Sequence, residues 1–170
     1  MKTTFIAMLC IVMLLGVSPS AKAQLIAGSP EAKAMDKVDA ESNPDAKATL
    51  LVAYIKDYPQ SKVMGSVYTQ LLDIYRQKND SAKLVEYGEK AIQLDPENIT
   101  ALMAVSRNYS IEKKNLDKAV SYAQRAVDTI AKMRTQPTPA GTPDDQWKTW
   151  LDQNDQAAKS LLAYAKTVKP

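Results

Sequence analysis

Apolar side chains recur along most of this chain at the three- and four-residue spacing of an α-helix. The stretch 62–78 shows the pattern most clearly, with apolar residues at Val67, Tyr68, Leu71, Leu72, Ile74 and Tyr75. Such a stripe is typical of an amphipathic helix that buries one face in a core. No segment shows the strict apolar–polar alternation of a half-buried strand. The pattern therefore predicts an all-α chain.

Prolines and capping residues give the limits of the individual helices. Pro59 and Pro96 each end a helical pattern, because proline disfavours helical geometry in the residue before it. Periodicity between these signals predicts a short helix from Pro30 to Ala40 and helices over about 44–57, 62–78, 81–94, 99–112, 116–134 and from 144 to the end.

Four of these helices have a recognisable start. Asn43 precedes a proline at the first helical position, and Asn98 precedes the helix that begins near residue 99. The turn 79–81 (Asn-Asp-Ser) offers a third cap. Thr142, followed three residues later by Asp145, is close to a capping box and predicts the cap of the last helix.

The chain also contains an internal repeat. Tyr75 recurs as Tyr109, 34 residues on, whereas Tyr87 recurs as Tyr122, 35 residues on. Two phases that differ by one residue indicate two helices per repeat, with one extra residue in the turn inside the second repeat. A period near 34 predicts helical hairpins stacked side by side.

The repeated residues carry a family resemblance. In the first copy, the signature residues are 3, 4, 16 and 5 apart: Tyr68, Leu71, Tyr75, Ala91 and Pro96. The second copy contributes Leu102, Val105, Ser106, Tyr109, Ala119 and Ala126. By this spacing the repeats resemble the tetratricopeptide repeat family, and the chain as a whole resembles secreted bacterial members of that family, including those of soil acidobacteria. It departs from the signature at Leu72, Leu84 and Ala131.

The resemblance implies an all-α fold, a short α-solenoid of tetratricopeptide-like hairpins closed by a C-terminal capping helix. The predicted organisation is a signal peptide (1–23), a leader with a weak first helix (24–43), repeats over 44–133, a Pro-rich linker (134–143) and a C-terminal helix (144–170). The repeats divide into a degenerate copy (44–64) and two fuller copies (65–98 and 99–133). Ala158 to Lys169 also resembles the start of another repeat, which leaves open that the chain is a truncated member of a longer array.

The first 23 residues have the composition of a secretory signal peptide. Lys2 supplies a positive start, an apolar run follows from Phe5 to Val17, and small residues flank Lys22 at the cleavage point. The apolar run is about 13 residues long and a membrane span needs about 20, so cleavage is expected before Gln24. The mature protein would then be periplasmic or secreted, with no membrane span.

Composition limits the chemistry that the mature chain can perform. The chain has no histidine, and its single cysteine lies in the signal peptide. Removal of Lys2 and Lys22 lowers the net charge from +3 to +1, because residues 1–23 contain no acid. Neither a P-loop nor a nucleophile elbow occurs. We therefore expect no enzyme, no metal, no cofactor and no nucleic-acid partner.

If the chain binds a protein or peptide, the resemblance implies that the first helix of each hairpin lines a concave groove. Six residues would carry that contact: Thr69, Asp73, Arg76, Met103, Arg107 and Ser110. Either arginine could hold a partner carboxylate through two hydrogen bonds. The function predicted is a non-catalytic interaction scaffold of the bacterial envelope, with ordinary solvated surface as the alternative reading of these residues.

A second function class stays open at this point. Trp147 and Trp150 lie near Asp144, Asp145 and Asp152. Paired carboxylates beside aromatic rings could serve a small envelope hydrolase or its accessory domain. That reading requires two carboxylates that face each other across a cleft next to the rings. The competing reading is that both tryptophans pack in a core or cap.

Overall fold

A computed structural model describes residues 25–169, and this part of the chain forms seven α-helices and no strand. The helices are α1 (Pro30–Ala40), α2 (Pro44–Asp57), α3 (Met64–Gln77), α4 (Ser81–Leu94), α5 (Ile99–Ile111), α6 (Leu116–Arg134) and α7 (Asp144–Thr167). The all-α prediction is confirmed. The predicted signal peptide lies outside the described residues. None of the described helices is long and apolar enough to cross a membrane.

Two closely packed hairpins form the centre of the molecule, α3 with α4 and α5 with α6. Residues 78–80 join the first pair and residues 112–115 join the second. The second turn is therefore one residue longer, as the two repeat phases predicted. Asn79 and Lys113 both take a left-handed conformation in these turns, with φ of 54° and 53°.

Side-chain caps fix three of the helix starts as predicted. The Asn43 side chain accepts hydrogen bonds from the first-turn amides of α2, Asp80 accepts from Lys83 N at 3.0 Å, and Asn98 accepts from Ala101 N at 3.0 Å. The predicted Thr142 cap is wrong. Pro143 holds the N-cap position of α7, and the helix has no side-chain cap. The extended backbone of Pro143 delays the helix by one residue, so Thr142 lies outside it.

One continuous core runs through the hairpins. Tyr75 and Tyr109, the two repeated aromatic residues, are only 7% and 6% exposed. Small side chains between the helices are fully buried, and the Ser106 hydroxyl donates to the Ala119 carbonyl at 2.7 Å, which joins α5 to α6. The tyrosines therefore fill the core where small residues bring the helix backbones together.

Helix α7 packs against both α5 and α6. Trp147, Leu151 and Ala158 form its buried side. At the end of α6, Arg134 makes an ion pair with Asp152 of α7 at 2.7 Å. The last helix therefore docks on the second hairpin, in the capping position that the resemblance implied.

At the other end of the solenoid, α1 and α2 pack against each other, and α2 packs on α3. Tyr54 of α2 is 2% exposed, and its hydroxyl donates to Glu31 of α1 at 2.9 Å. The same hydroxyl lies 2.9 Å from the Ser61 hydroxyl in the loop before α3. Tyr54 therefore ties three consecutive segments together.

Candidate functional site

The six predicted contact residues fall on two neighbouring helices, α3 and α5, which lie against each other. We call them the groove stripe. Thr69, Asp73 and Arg76 occupy successive turns of α3, and Met103, Arg107 and Ser110 occupy the matching turns of α5. The structure therefore brings the two halves of the predicted stripe side by side.

On α3, the two charged residues of the groove stripe bind each other. Arg76 Nη2 lies 2.9 Å from Asp73 Oδ1, close enough for an ion pair but not aligned for a hydrogen bond, and this oxygen is shielded from solvent. Burial raises the pKa of Asp73, and the Arg76 charge opposes that shift only in part. Arg76 is thus already engaged with an acid of its own helix.

Thr69 has a structural role in the same region. Its hydroxyl donates to the Gly65 carbonyl at 2.9 Å and accepts from the Asn98 side-chain amide at 2.9 Å. Asn98 is also the cap of α5. Thr69 therefore helps to hold the start of α5 against α3, and its hydroxyl has little left to offer a partner.

On α5, the groove stripe has an exposed cation between apolar neighbours. Arg107 is exposed and makes no ion pair with any residue in 25–169. Met103, one turn before it, is half-buried against the core, and Ile111, one turn after it, is 58% exposed. This is the part of the stripe with an unused charge and accessible apolar surface.

Ser110 does not belong to that surface. It is only 1% exposed, and its hydroxyl donates to the Ser106 carbonyl of its own helix at 2.9 Å. The long Arg76 side chain at the matching turn of α3 reaches solvent, whereas the short serine side chain stays among the packed helices. The structure therefore corrects the prediction that Ser110 lines the groove.

A half-buried carboxylate, Glu89, forms a hydrogen-bonded hub that escaped the sequence analysis. Glu89 of α4 accepts hydrogen bonds from the hydroxyls of Tyr109 and Tyr122, at 2.8 and 2.7 Å, and from Lys118 Nζ at 3.0 Å. Burial alone would raise the pKa of Glu89. The donors from Tyr122, Lys118 and Tyr109 outweigh burial and lower it.

The same contacts act in the opposite direction on the tyrosines. Burial and the hydrogen bond to Glu89 raise the pKa of Tyr109 to about 12, and they raise the pKa of Tyr122 even further. The hub joins α4 of the first hairpin to α5 and α6 of the second. The sequence did hold a signal for these three donors to Glu89, because Tyr109, Tyr122 and Lys118 all repeat residues found 34 or 35 positions earlier.

Gly88 is a second residue that the sequence analysis passed over. A β-carbon built at this position of α4 would lie 2.3 Å from Val105 Cγ2 and 2.8 Å from Leu72 Cδ1. Non-bonded atoms essentially never come so close to a β-carbon. The glycine therefore lets α4 approach α5, and this approach brings Glu89 within reach of its three donors.

An open cleft of about 550 Å³ lies beside this hub, between α4 and α6. Its charged groups are already engaged: Lys90 pairs with Glu86 at 2.7 Å, and Arg125 donates to the Pro96 carbonyl at 2.7 Å. Since its charges are satisfied within the chain, the cleft is a weaker candidate than the exposed arginine on α5.

The acids near the tryptophans are placed for structural roles. Trp147 is 8% exposed and its ring stacks on Trp150 at 5.0 Å, almost parallel. Asp152 and Asp155 both face Arg134, at 2.7 and 3.8 Å. Asp144 and Asp145 lie in the first turn of α7, where carboxylates favour a helix start. Nothing observed on the described residues favours the hydrolase.

The comparison with known families agrees with the packing of the first hairpin. Residues 65–98 match the tetratricopeptide repeat family. The chain therefore contains a tetratricopeptide repeat, formed by α3 and α4. No curated protein matches the chain at a significant level. Together with the helix order, the match makes this an all-α, tetratricopeptide-like solenoid.

Proposed function

We propose that this protein is a non-catalytic scaffold that binds a protein or peptide partner along the α3–α5 face. The observation that carries the proposal is the tetratricopeptide repeat at residues 65–98, stacked against a second hairpin of the same form. Repeats of this kind generally mediate protein–protein interaction, because stacked hairpins present an extended surface.

Arg107 is the anchor of the proposed contact. Its guanidinium is exposed and makes no ion pair with the described residues, and a guanidinium matches a carboxylate through two parallel hydrogen bonds. Met103 and Ile111, one turn to each side, would contact apolar side chains of the same partner. A segment with an acidic residue between apolar residues fits this surface.

The place of action that we propose is the bacterial envelope or the medium, as in secreted tetratricopeptide proteins of the acidobacterial type. The export signal in residues 1–23 supports this placement. Mass spectrometry of the protein recovered from its host should find a mature N-terminus at Gln24. A recovered protein that still carries residues 1–23 would contradict export by this route.

The binding proposal is tested by affinity capture from envelope extract, followed by titration of each captured protein. We expect Arg107→Ala to weaken the binding of a genuine partner about tenfold or more, which is the loss expected when one charged hydrogen bond is removed. Arg76→Ala, on the same stripe, should have a smaller effect because Arg76 is paired with Asp73. Circular dichroism checks that both variants are folded. Equal affinities for the parent chain and Arg107→Ala would overturn the proposed anchor.

A further inference from the structure

The two hairpins can be compared with each other at the Glu89 hub. In the second hairpin, the hydroxyls of Tyr109 and Tyr122 and the ammonium of Lys118 converge on one carboxylate, within 2.7–3.0 Å. That carboxylate comes from the preceding helix, α4. The arrangement is a working carboxylate site built from two phenols and one lysine.

The first hairpin carries the same three residue types at the matching positions. Tyr75, Tyr87 and Lys83 lie 34, 35 and 35 residues before their counterparts. Here no carboxylate of the described residues accepts from the two hydroxyls, and Lys83 Nζ instead lies 3.3 Å from the Tyr75 hydroxyl. We call Tyr75, Tyr87 and Lys83 the first-hairpin triad.

Helix α2 explains why the first-hairpin triad lacks an acid. Both α2 and α4 are 14 residues long, and each ends two residues before a proline. Matching them end to end places Val52 where α4 has Glu89, and Leu51 where α4 has Gly88. Helix α2 therefore supplies no carboxylate at this place. At the position of Gly88, α2 carries a fully buried leucine in place of the glycine that lets α4 approach α5.

The surroundings of the first-hairpin triad favour a negative ligand. Lys83 is exposed, makes no ion pair with residues 25–169, and lies 4.7 Å from the centre of the Tyr75 ring. Lys90 lies 5.3 Å from the centre of the half-buried Tyr87 ring, and its own charge is balanced by Glu86 at 2.7 Å, which leaves Lys83 as the available cation. The Tyr75 and Tyr87 rings stack at 5.6 Å with only 11° between their planes. The stack fixes the rings, so their donors need little reorganisation on binding.

We propose that Lys83 and Tyr87 bind an aspartate or glutamate side chain presented on a helix of a partner protein, and that the buried Tyr75 holds Lys83 in place through its hydroxyl. The second hairpin shows the chemistry, since α4 presents Glu89 to the same residue types. Charge complementarity selects an acid over an amide, because Lys83 makes no ion pair with any of the described residues. This site is separate from the Arg107 anchor and does not depend on it.

The experiment uses two alanine-rich helical peptides of about 17 residues that differ only in a central Glu or Gln, a length at which such a helix becomes stable. Binding to the purified full chain is followed by NMR. The Glu peptide should bind about tenfold tighter than the Gln peptide, the value expected for a charged hydrogen bond. Equal binding of the two peptides would overturn the proposal.

Variants locate the binding. Tyr87→Phe, which keeps the ring stack, and Lys83→Met should each remove most of the preference for Glu. Lys118→Met removes the matching lysine of the second hairpin and should leave the preference unchanged, because Glu89 already occupies that site. If the preference for the Glu peptide survives both first-hairpin variants but disappears in Arg107→Ala, the peptide carboxylate binds on α5. That outcome would refute this site.

Discussion

Single residues decide how closely the helices of this protein can pack, and Gly88 is the clearest case. Its α-carbon faces Val105 and Leu72, and neither side chain leaves room for a β-carbon. Glu89, the next residue in the chain, then reaches donors on two helices of the second hairpin. The glycine and the carboxylate therefore act together at the junction of the hairpins.

We expect Gly88→Ala to destabilise the protein, by about 1–3 kcal/mol, because the added methyl group overpacks the α4–α5 contact. Gly65→Ala is the matched control. A β-carbon at Gly65 would meet only Leu94 Cβ, at 3.9 Å, an ordinary contact. Alanine should be neutral or stabilise α3 slightly there, since it is the better helix former. Urea unfolding of the two variants, followed by circular dichroism, makes the comparison. Equal stabilities would contradict the crowding argument.

Glu89→Gln should cost about 1–3 kcal/mol at neutral pH, because the ammonium and both phenols lose a charged acceptor. The pKa of Glu89 is lower in the folded state than its ordinary value of 4.5. Its contribution is therefore complete above that value and is lost as pH falls through the folded pKa. The stability gap between the parent chain and the variant should close in acid. Urea midpoints measured from pH 7 down to pH 3 test this, and a constant gap would argue against the ionised hub.

At the scale of the helix and its turn, most starts and ends follow from local chemistry. Helices α2, α4 and α5 begin at side-chain caps that can be recognised in the sequence. Helix α3 begins at Met64 rather than near residue 62 because Ser61 forms a turn: its amide donates to the Tyr58 carbonyl, and its hydroxyl accepts from Val63 N. The boundaries that were missed therefore lie where a neighbouring turn competes with the helix.

The turn between α5 and α6 contains a residue type that does not suit its backbone. Lys113 has φ of 53°, which costs a residue with a β-carbon about 1 kcal/mol relative to glycine. We expect Lys113→Gly to stabilise the protein by about 0.5–1 kcal/mol, less the small cost of added freedom in the unfolded chain. Thermal unfolding should show a higher midpoint. A lower midpoint would mean that the lysine side chain makes a contact worth more than the strain.

At the scale of the whole molecule, stability depends on end helices that cover the two central hairpins. One hairpin cannot bury its own apolar face, and about three repeats are needed for independent stability. Here α2 packs on α3 at one end, and α7 packs on α5 and α6 at the other. The molecule is thus a short solenoid that relies on its last helix to complete the core.

Removal of residues 144–170 should therefore expose the buried side of the second hairpin. Trp147, Leu151 and Ala158 would leave the core together with the Arg134–Asp152 ion pair. Loss of a buried tryptophan and a buried leucine alone costs about 5 kcal/mol or more, comparable with the whole stability of a small domain. The shortened chain should lose its cooperative unfolding transition and aggregate. An unchanged denaturation curve would show that α7 does not contribute to the core.

The sequence was least informative about how side chains meet between helices. It placed Arg76 and Arg107 as equals on one stripe. In the folded chain Asp73 engages Arg76, whereas Arg107 is left without an ion partner among residues 25–169. It also placed Ser110 on the surface, whereas the structure buries this residue. Periodicity gives the side of a helix on which a residue lies, but the neighbouring helices decide how much of that side is covered.

By itself, the sequence determined the all-α class, the doubled hairpin and the additional residue in its second turn. These depend on helical period, caps and repeat spacing, which act over a few residues at a time. Only the tertiary structure decided that Glu89 would gather Tyr109, Tyr122 and Lys118 while Tyr75, Tyr87 and Lys83 would lack an acid. That difference depends on which side chain the preceding helix presents and on how closely that helix packs, which is a matter of contact between segments far apart in the chain.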